Sequence, residues 1–319
     1  MRILVIAGTG FVGGVVVDVL AREHEVTVFH RGRDCVPGGR VRHIHGDRRT
    51  LPGHRAAFKK AAPDIVLDMA PQTGTDAAQT LAAIGGIAER IVGVSSVSVY
   101  RAFGRFIGRE IGPIDNSPSG EDSPLRSSLW PYRGPTPRHG ADPLQWLDDY
   151  DKIPAEQALL NSPDIETSII RMPMIYGPGD PDSRINGYVT AMRRGATTIP
   201  LQRRATDWRN ARAFVGNAAE AIALVTVQGR AGGVYNFAEP FDFTEREWIR
   251  RVGSAVGWAG EIDAVDDGDA AGAPLKDLPS ADYTQHLRMD TSRIRDELHY
   301  SEHFDLEAGL RLTVAAISG

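Results

Sequence analysis

Three glycines, Gly8, Gly10 and Gly13, follow the short apolar run 3–7 in a G-x-G-x-x-G spacing and open an apolar helical pattern at 15–20. Glycines in this order let a chain turn tightly after a strand and bring its backbone close to a pyrophosphate, while the third lets the helix pack against the sheet. The unpaired N–H groups and the positive end of the helix dipole then face the phosphates. The position of the triplet, at a first strand-to-helix turn, makes dinucleotide binding by Gly8, Thr9, Gly10, Phe11, Val12 and Gly13 the expected chemistry. After the second strand an NAD-selective turn would carry an acid for the ribose hydroxyls. This chain has His30, followed by Arg31 and Arg33. Two guanidiniums suited to bidentate phosphate contacts favour NADP, with NAD the alternative; a merely solvated loop is the plainer reading of the same arginines.

The elements needed to hold such a site are present. Buried-strand patterns at 3–7, 26–29, 41–45, 64–69, 90–95, 165–171 and 234–237 alternate with helical patterns at 56–62, 76–88, 146–160, 184–194, 215–227, 244–256 and 306–316. That alternation predicts an α/β fold, a Rossmann-type doubly wound parallel sheet with a smaller C-terminal substrate lobe. The expected division is 1–172 with 211–240 for the dinucleotide domain, and 173–210 with 241–319 for the substrate-binding lobe. Residues 101–143, rich in Pro, Gly, Arg and Ser and containing Trp130 and Tyr132, form a long irregular stretch, either a lid over the site or a packed surface loop.

Composition narrows the class. The 319 residues are 42% hydrophobic and 24% charged, with a formal net charge of −5, the profile of a globular protein with no general attraction to nucleic acid or anionic membrane. One cysteine, Cys35, forms no internal disulfide and reads as an ordinary loop thiol. No signal peptide and no apolar run near the roughly 18 residues of a membrane span is visible, so a cytoplasmic protein is expected. The nine histidines show no ligand spacing beyond His43 and His45, which alternate on a strand, and no metal is expected.

Further motifs bear on identity. Gly46-Asp47 follows the third strand, Val94-Ser95-Ser96-Val97-Ser98-Val99-Tyr100 follows the fifth, and the later segments are Arg171-Met172-Pro173, Phe214-Val215-Gly216-Asn217 and Gly233-Val234-Tyr235-Asn236-Phe237. With the glycine turn, these resemble the extended short-chain dehydrogenase/reductase family, the NAD(P)-dependent epimerases and dehydratases, over nearly the whole chain. The family writes its first glycine where this chain has Ala7. The resemblance implies an adenine contact from Asp47, further cofactor contacts from Met69, Ala70, Ser95 and Pro173, and a catalytic hydroxyl at Ser96, four before Tyr100. It also implies a homodimer through the helices around Asp76 and Ala155.

The family's working pair is a tyrosine and a lysine four residues later, the lysine followed at the same interval by an acid. Lys152 and Glu156 match that frame, but Asp148 stands at the tyrosine position. The resemblance gives Lys152 the cofactor ribose and the task of lowering a phenol's pKa so that it exchanges a proton near neutrality; an aspartate beside that ammonium is instead driven to a carboxylate with no proton to give. Tyr150 is a substitute, although two residues on a regular helix is about 200° of rotation; Pro154 opposes a regular turn there. Tyr150 as acid or base, Asp148 as a base, and a site without a redox step stay open, and Asp148 with Lys152 also suits a simple i,i+4 surface ion pair. Among Arg184, Arg193, Arg194, Arg203, Arg204 and Arg209 in the second lobe, no more than two are expected to meet an anionic substrate.

The expected function is therefore an epimerase, dehydratase or reductase acting at a hydroxyl or carbonyl carbon of a sugar nucleotide or secondary-metabolite intermediate. The alternatives are a non-redox isomerase or lyase with a structural cofactor, and a non-catalytic dinucleotide sensor or RNA-associated protein, the last disfavoured by the acidic charge balance.

Overall fold

A computed structural model describes residues 1–32, 41–182, 184–266 and 281–317. Arg33 and Cys35 lie outside the described residues. Seven parallel strands form the central sheet: β1 (Arg2–Ile6), β2 (Glu25–His30), β3 (Val41–His45), β4 (Ile65–Asp68), β5 (Arg90–Ser96), β6 (Glu166–Met172) and β10 (Gly233–Asn236). Their order across the sheet is β10-β6-β5-β4-β1-β2-β3. The inner strands are apolar almost throughout, as a sheet covered on both faces requires. One face packs on α1 (Phe11–Leu20) and α7 (Val215–Gln228), with Val5, Val17, Val28, Ile170 and Ile222 in its core. The other packs on α2 (Arg55–Ala61), α3 (Gly74–Ile84) and α5 (Lys152–Leu160), with Leu4, Phe29, Phe58, Val66 and Leu159.

The remaining elements build the second lobe: α6 (Asn186–Arg193), α8 (Glu245–Val256), α10 (Leu306–Ala316), a two-stranded sheet of β8 (Thr198–Gln202) with β11 (Glu261–Val265), and another of β7 (Met174–Tyr176) with β9 (Arg212–Phe214). The four strands of these two small sheets have no counterpart in the expected element order, nor has α9 (Ser292–Leu298). They are three to seven residues long, too short for a periodic signal to stand out.

Two expectations need correction. The helix expected over 146–160 is two pieces: a 3₁₀ turn at Gln145–Asp148, a break, and α5 starting at Lys152. Asp151 has extended backbone (φ −158°, ψ 121°) and caps α5 through its carboxylate, which accepts the Ile153 N–H at 2.9 Å. Pro154 then falls in the first turn, where an absent N–H costs no intrahelical bond. The stretch 101–143 is also less irregular than its composition suggests. It begins with a helix, α4 (Arg101–Phe106), and is stitched to the C-terminal segment by Asn116 Nδ2 donating to the Thr284 carbonyl (3.0 Å) and Arg288 Nη1 to the Asn116 carbonyl (3.0 Å).

Candidate active site

The glycine turn sits between β1 and α1 at the C-terminal edge of the sheet, beside the switch in strand order from β1 to β4, where open α/β sheets form their crevice. A Cβ on Gly13 would lie 2.9 Å from the Gly8 carbonyl carbon and 3.0 Å from the Ala7 oxygen, so this glycine is what lets α1 press onto the turn. A Cβ on Gly10 would meet nothing within 4 Å, leaving open space beside the first turn of α1. No side chain caps α1 and no acid lies in its first turn; its first backbone bond is Gly14 N–H to the Gly10 carbonyl (2.8 Å). The N–H groups of Phe11, Val12 and Gly13 are thus available to an anion, which fits a dinucleotide pyrophosphate. Ala7 has φ +62°, the left-handed region, which explains why glycine suits this position better.

Parallel register brings the other cofactor candidates to the same edge. Ile6 pairs with Asp68, and Ser96 with Met172, so Met69, Ala70, Ser95, Ser96 and Pro173 follow or end neighbouring strands. Asp47, beyond β3, is held by Arg49 through guanidinium (2.7 Å) and main-chain N–H (2.9 Å), which lowers its carboxyl to about 2. Arg31 is largely exposed and 3.9 Å from Asp47. His30 is buried, its Nε2 3.0 Å from Nδ1 of His43.

Lys152 is buried and its ammonium donates to the Val94 carbonyl at 3.0 Å. Burial pulls its pKa down to about 8, the charge of Asp68 resisting. The carboxylates around it are taken by arginines. Asp68 receives Arg48 through two 3.0 Å bonds, Glu156 receives Arg171 at 2.9 and 2.7 Å, and Asp151 receives Arg126 at 2.8 Å. Asp148 is paired with Arg138, whose main-chain N–H also reaches it at 2.7 Å. Asp148 therefore fastens the preceding loop and forms no helix-surface pair with Lys152. Glu156 additionally accepts the Ser95 hydroxyl, a bracing role for both residues.

Tyr150, freed from helical geometry by the extended Asp151, brings its ring to 5.9 Å from the Lys152 ammonium. It sits among Tyr132 and Trp146, with ring centroids 5.4 and 5.9 Å away. Burial raises its phenol pKa, and the facing hydroxyls of Ser98 and Ser96 draw it part of the way back. Ser98 Oγ itself is buried without a hydrogen-bond partner. The structure thus assembles Lys152, Tyr150 and Ser96 and separates Asp148 from them. Sequence reasoning did not single out Arg48, Asp68 or Arg126. Arg48 follows the recognised Asp47, but nothing in the sequence near Arg126 signals its partner 25 residues away.

The second lobe contributes a cavity lined by Met174, Tyr176, Ile185, Trp208 and Trp248, with Arg184, Arg212 and Glu245. Arg212 is buried against Glu245, and Arg184 is paired with Asp180 and Asp182. Arg203 and Arg209 face Asp266 and Asp242, while Arg193 and Arg204 bond backbone carbonyls.

No protein-family model matches the chain, and no curated protein matches it in sequence. Solved structures do match in fold. The UDP-glucose 4-epimerase of Thermus thermophilus, in complex with NAD, has a TM-score of 0.71 at 20% identity over 99% of both chains. A dTDP-glucose 4,6-dehydratase from Streptomyces venezuelae, with NAD and TYD bound, gives 0.71 at 20% identity over 99% of this chain and 96% of its own. That of Bacillus anthracis, in complex with NAD, gives 0.70 at 17% over 99% and 96%. The chain shares the overall fold of these epimerase and dehydratase structures. Among the described residues no helix is long and apolar enough to cross a membrane.

Proposed function

We propose that the protein is an NAD(P)-dependent oxidoreductase of the epimerase/dehydratase type, exchanging a hydride and a proton at a hydroxyl or carbonyl carbon of a small molecule. The observation that carries this reading is the Tyr150 ring 5.9 Å from the Lys152 ammonium, at the sheet edge that also holds the glycine turn. The dinucleotide, when bound, supplies or accepts the hydride. The α1 N-terminus with Gly8, Thr9 and Gly10 holds its pyrophosphate, Asp47 its adenine, and Lys152, Met69, Ala70 and Pro173 its nicotinamide half. Tyr150 gives its proton to, or takes it from, the substrate oxygen, and Lys152 stabilises the phenolate. Tyr132 and Trp146 beside the phenol keep its surroundings apolar.

Asp148 acts as no base, because its carboxylate is committed to Arg138. NADP is the preferred cofactor, since no carboxylate ends β2 and Arg31 stands exposed to a 2′-phosphate. Most arginines of the second lobe are already compensated, which favours a substrate with an uncharged, apolar body, a secondary-metabolite intermediate, over a sugar nucleotide. Residues 1–172 with 211–240 bind the dinucleotide, 173–210 with 241–319 bind the substrate, and two copies associate through α3 and α5.

Fluorescence titration with NADPH and NADH, then a screen of carbonyl compounds followed by nicotinamide absorbance, tests the proposal. Tyr150→Phe should cut turnover by about 10²–10⁴-fold and leave the dinucleotide Kd essentially unchanged. A folded wild-type protein that binds neither nucleotide overturns the proposal.

A further inference from the structure

The hydroxyl selected by family resemblance is Ser96, yet the structure gives that side chain another task. Ser96 Oγ accepts the Ser98 N–H at 3.2 Å and caps the short 3₁₀ turn Val97–Val99 after β5. Ser95 is equally occupied, donating to Glu156. Ser96 and Ser98 both face the Tyr150 phenol, but Ser98 is 1% exposed and its Oγ has no hydrogen-bond partner. A buried hydroxyl without a partner is costly, so it marks a place where another polar group is expected.

The surrounding backbone holds this hydroxyl in place. Arg126 donates through Nε to the Ser98 carbonyl and through Nη2 to Asp151 at 2.8 Å; the two ionic side chains are 0% and 1% exposed. The main-chain N–H of Arg126 also donates to the Val99 carbonyl at 2.8 Å. Asp151 lies between Tyr150 and Lys152, caps α5, and accepts the Trp130 N–H at 2.6 Å. One guanidinium therefore ties the turn that carries Ser98 to the segment that carries Tyr150. The tyrosine stands two residues later than the family frame predicts, and the unpartnered hydroxyl likewise stands two residues after Ser96.

Building on the reading of Tyr150 as proton carrier, we infer that Ser98 is the catalytic hydroxyl that binds the substrate's reacting oxygen together with Tyr150, and that Arg126 and Asp151 are the pair positioning them. Ser98 keeps its own proton, donating a hydrogen bond to the substrate oxygen, or to the Tyr150 phenolate while no substrate is bound. Ser96 remains the structural cap of the turn.

The test uses the full chain with a fluorinated tyrosine incorporated at position 150, which lowers the phenol's titration range and reports it by fluorine NMR. Ser98→Ala should raise the midpoint by about one pH unit, the loss of one hydrogen bond to the phenolate, while Ser96→Ala moves it by less than half as much. Ser98→Thr, which keeps the hydroxyl, should restore the wild-type midpoint. Arg126→Lys, which keeps the charge but loses the fork, should shift the midpoint upward with the fold intact by circular dichroism. A larger shift in Ser96→Ala than in Ser98→Ala, or no shift in Ser98→Ala, overturns the assignment. NADPH titration of the same variants separates the two ideas: intact binding with an unmoved midpoint rejects Ser98 alone, whereas absent binding in the wild type rejects the proposed function.

Discussion

Replacing Lys152 with methionine should make the unliganded protein more stable near neutrality while weakening its grip on a dinucleotide. Burial lowers the Lys152 ammonium from an ordinary 10.5 to about 8. Its charged form is therefore disfavoured in the folded state, and below pH 8 both folded and unfolded chains carry the proton, so the full penalty is present there. At about 1.4 kcal/mol per pH unit the difference corresponds to roughly 3 kcal/mol. Methionine removes that penalty but leaves the Val94 carbonyl without its donor, a loss of about 1 kcal/mol. The net expectation for Lys152→Met at pH 7 is a gain of about 2 kcal/mol. As pH rises from 8 toward 10.5 the folded wild type sheds the proton while the unfolded chain retains it, so wild-type stability climbs relative to the variant and the advantage shrinks. Urea unfolding followed by tryptophan fluorescence at pH 7 and 9.5 measures both values. A variant less stable than wild type at pH 7, or an advantage independent of pH, would refute the view that Lys152 is a buried cation retained for ligand binding.

The other expected outcomes are local. Ala7→Gly relieves a left-handed backbone (φ +62°) that costs about 1–2 kcal/mol, partly offset by the greater freedom of glycine when unfolded. A stability gain of about 0.5–1 kcal/mol by urea denaturation is expected. Asp148→Asn should cost about 1–3 kcal/mol, because it breaks the pair with Arg138. It should leave the pH profile of turnover unmoved, whereas loss of the profile's acid limb would restore Asp148 as a base. Arg31→Ala should weaken NADPH by about tenfold, or 1.4 kcal/mol, and NADH far less; equal weakening of both would remove the argument for a 2′-phosphate contact.

Much of the central sheet was legible because its strands are buried on both faces and separated by amphipathic helices, so each announces itself as a compact apolar run. The glycine turn was legible because its chemistry depends on the absence of side chains, which a sequence displays directly. The segment around Tyr150 was not. Periodicity continues an apolar pattern from Trp146 into Leu160 without registering that Asp151 turns extended to cap a new helix, and the argument from helical rotation against Tyr150 falls with the helix it assumed. Pro154 carried the only local sign of the break. The short strands of the second lobe and the partners of Arg48 and Arg126 depend on contacts between distant segments, which local pattern cannot express.

Those long-range pairs explain the electrostatics of the site. At Lys152 the charges of Asp68, Asp76 and Glu156 resist the effect of burial, while that of Arg48 adds to it. Asp68, Asp148, Asp151 and Glu156 each meet an arginine, Arg48, Arg138, Arg126 and Arg171 respectively. Guanidinium, planar and permanently charged, satisfies a carboxylate bidentately. Lys152 is left with a backbone carbonyl as its hydrogen-bond partner and a pKa of about 8.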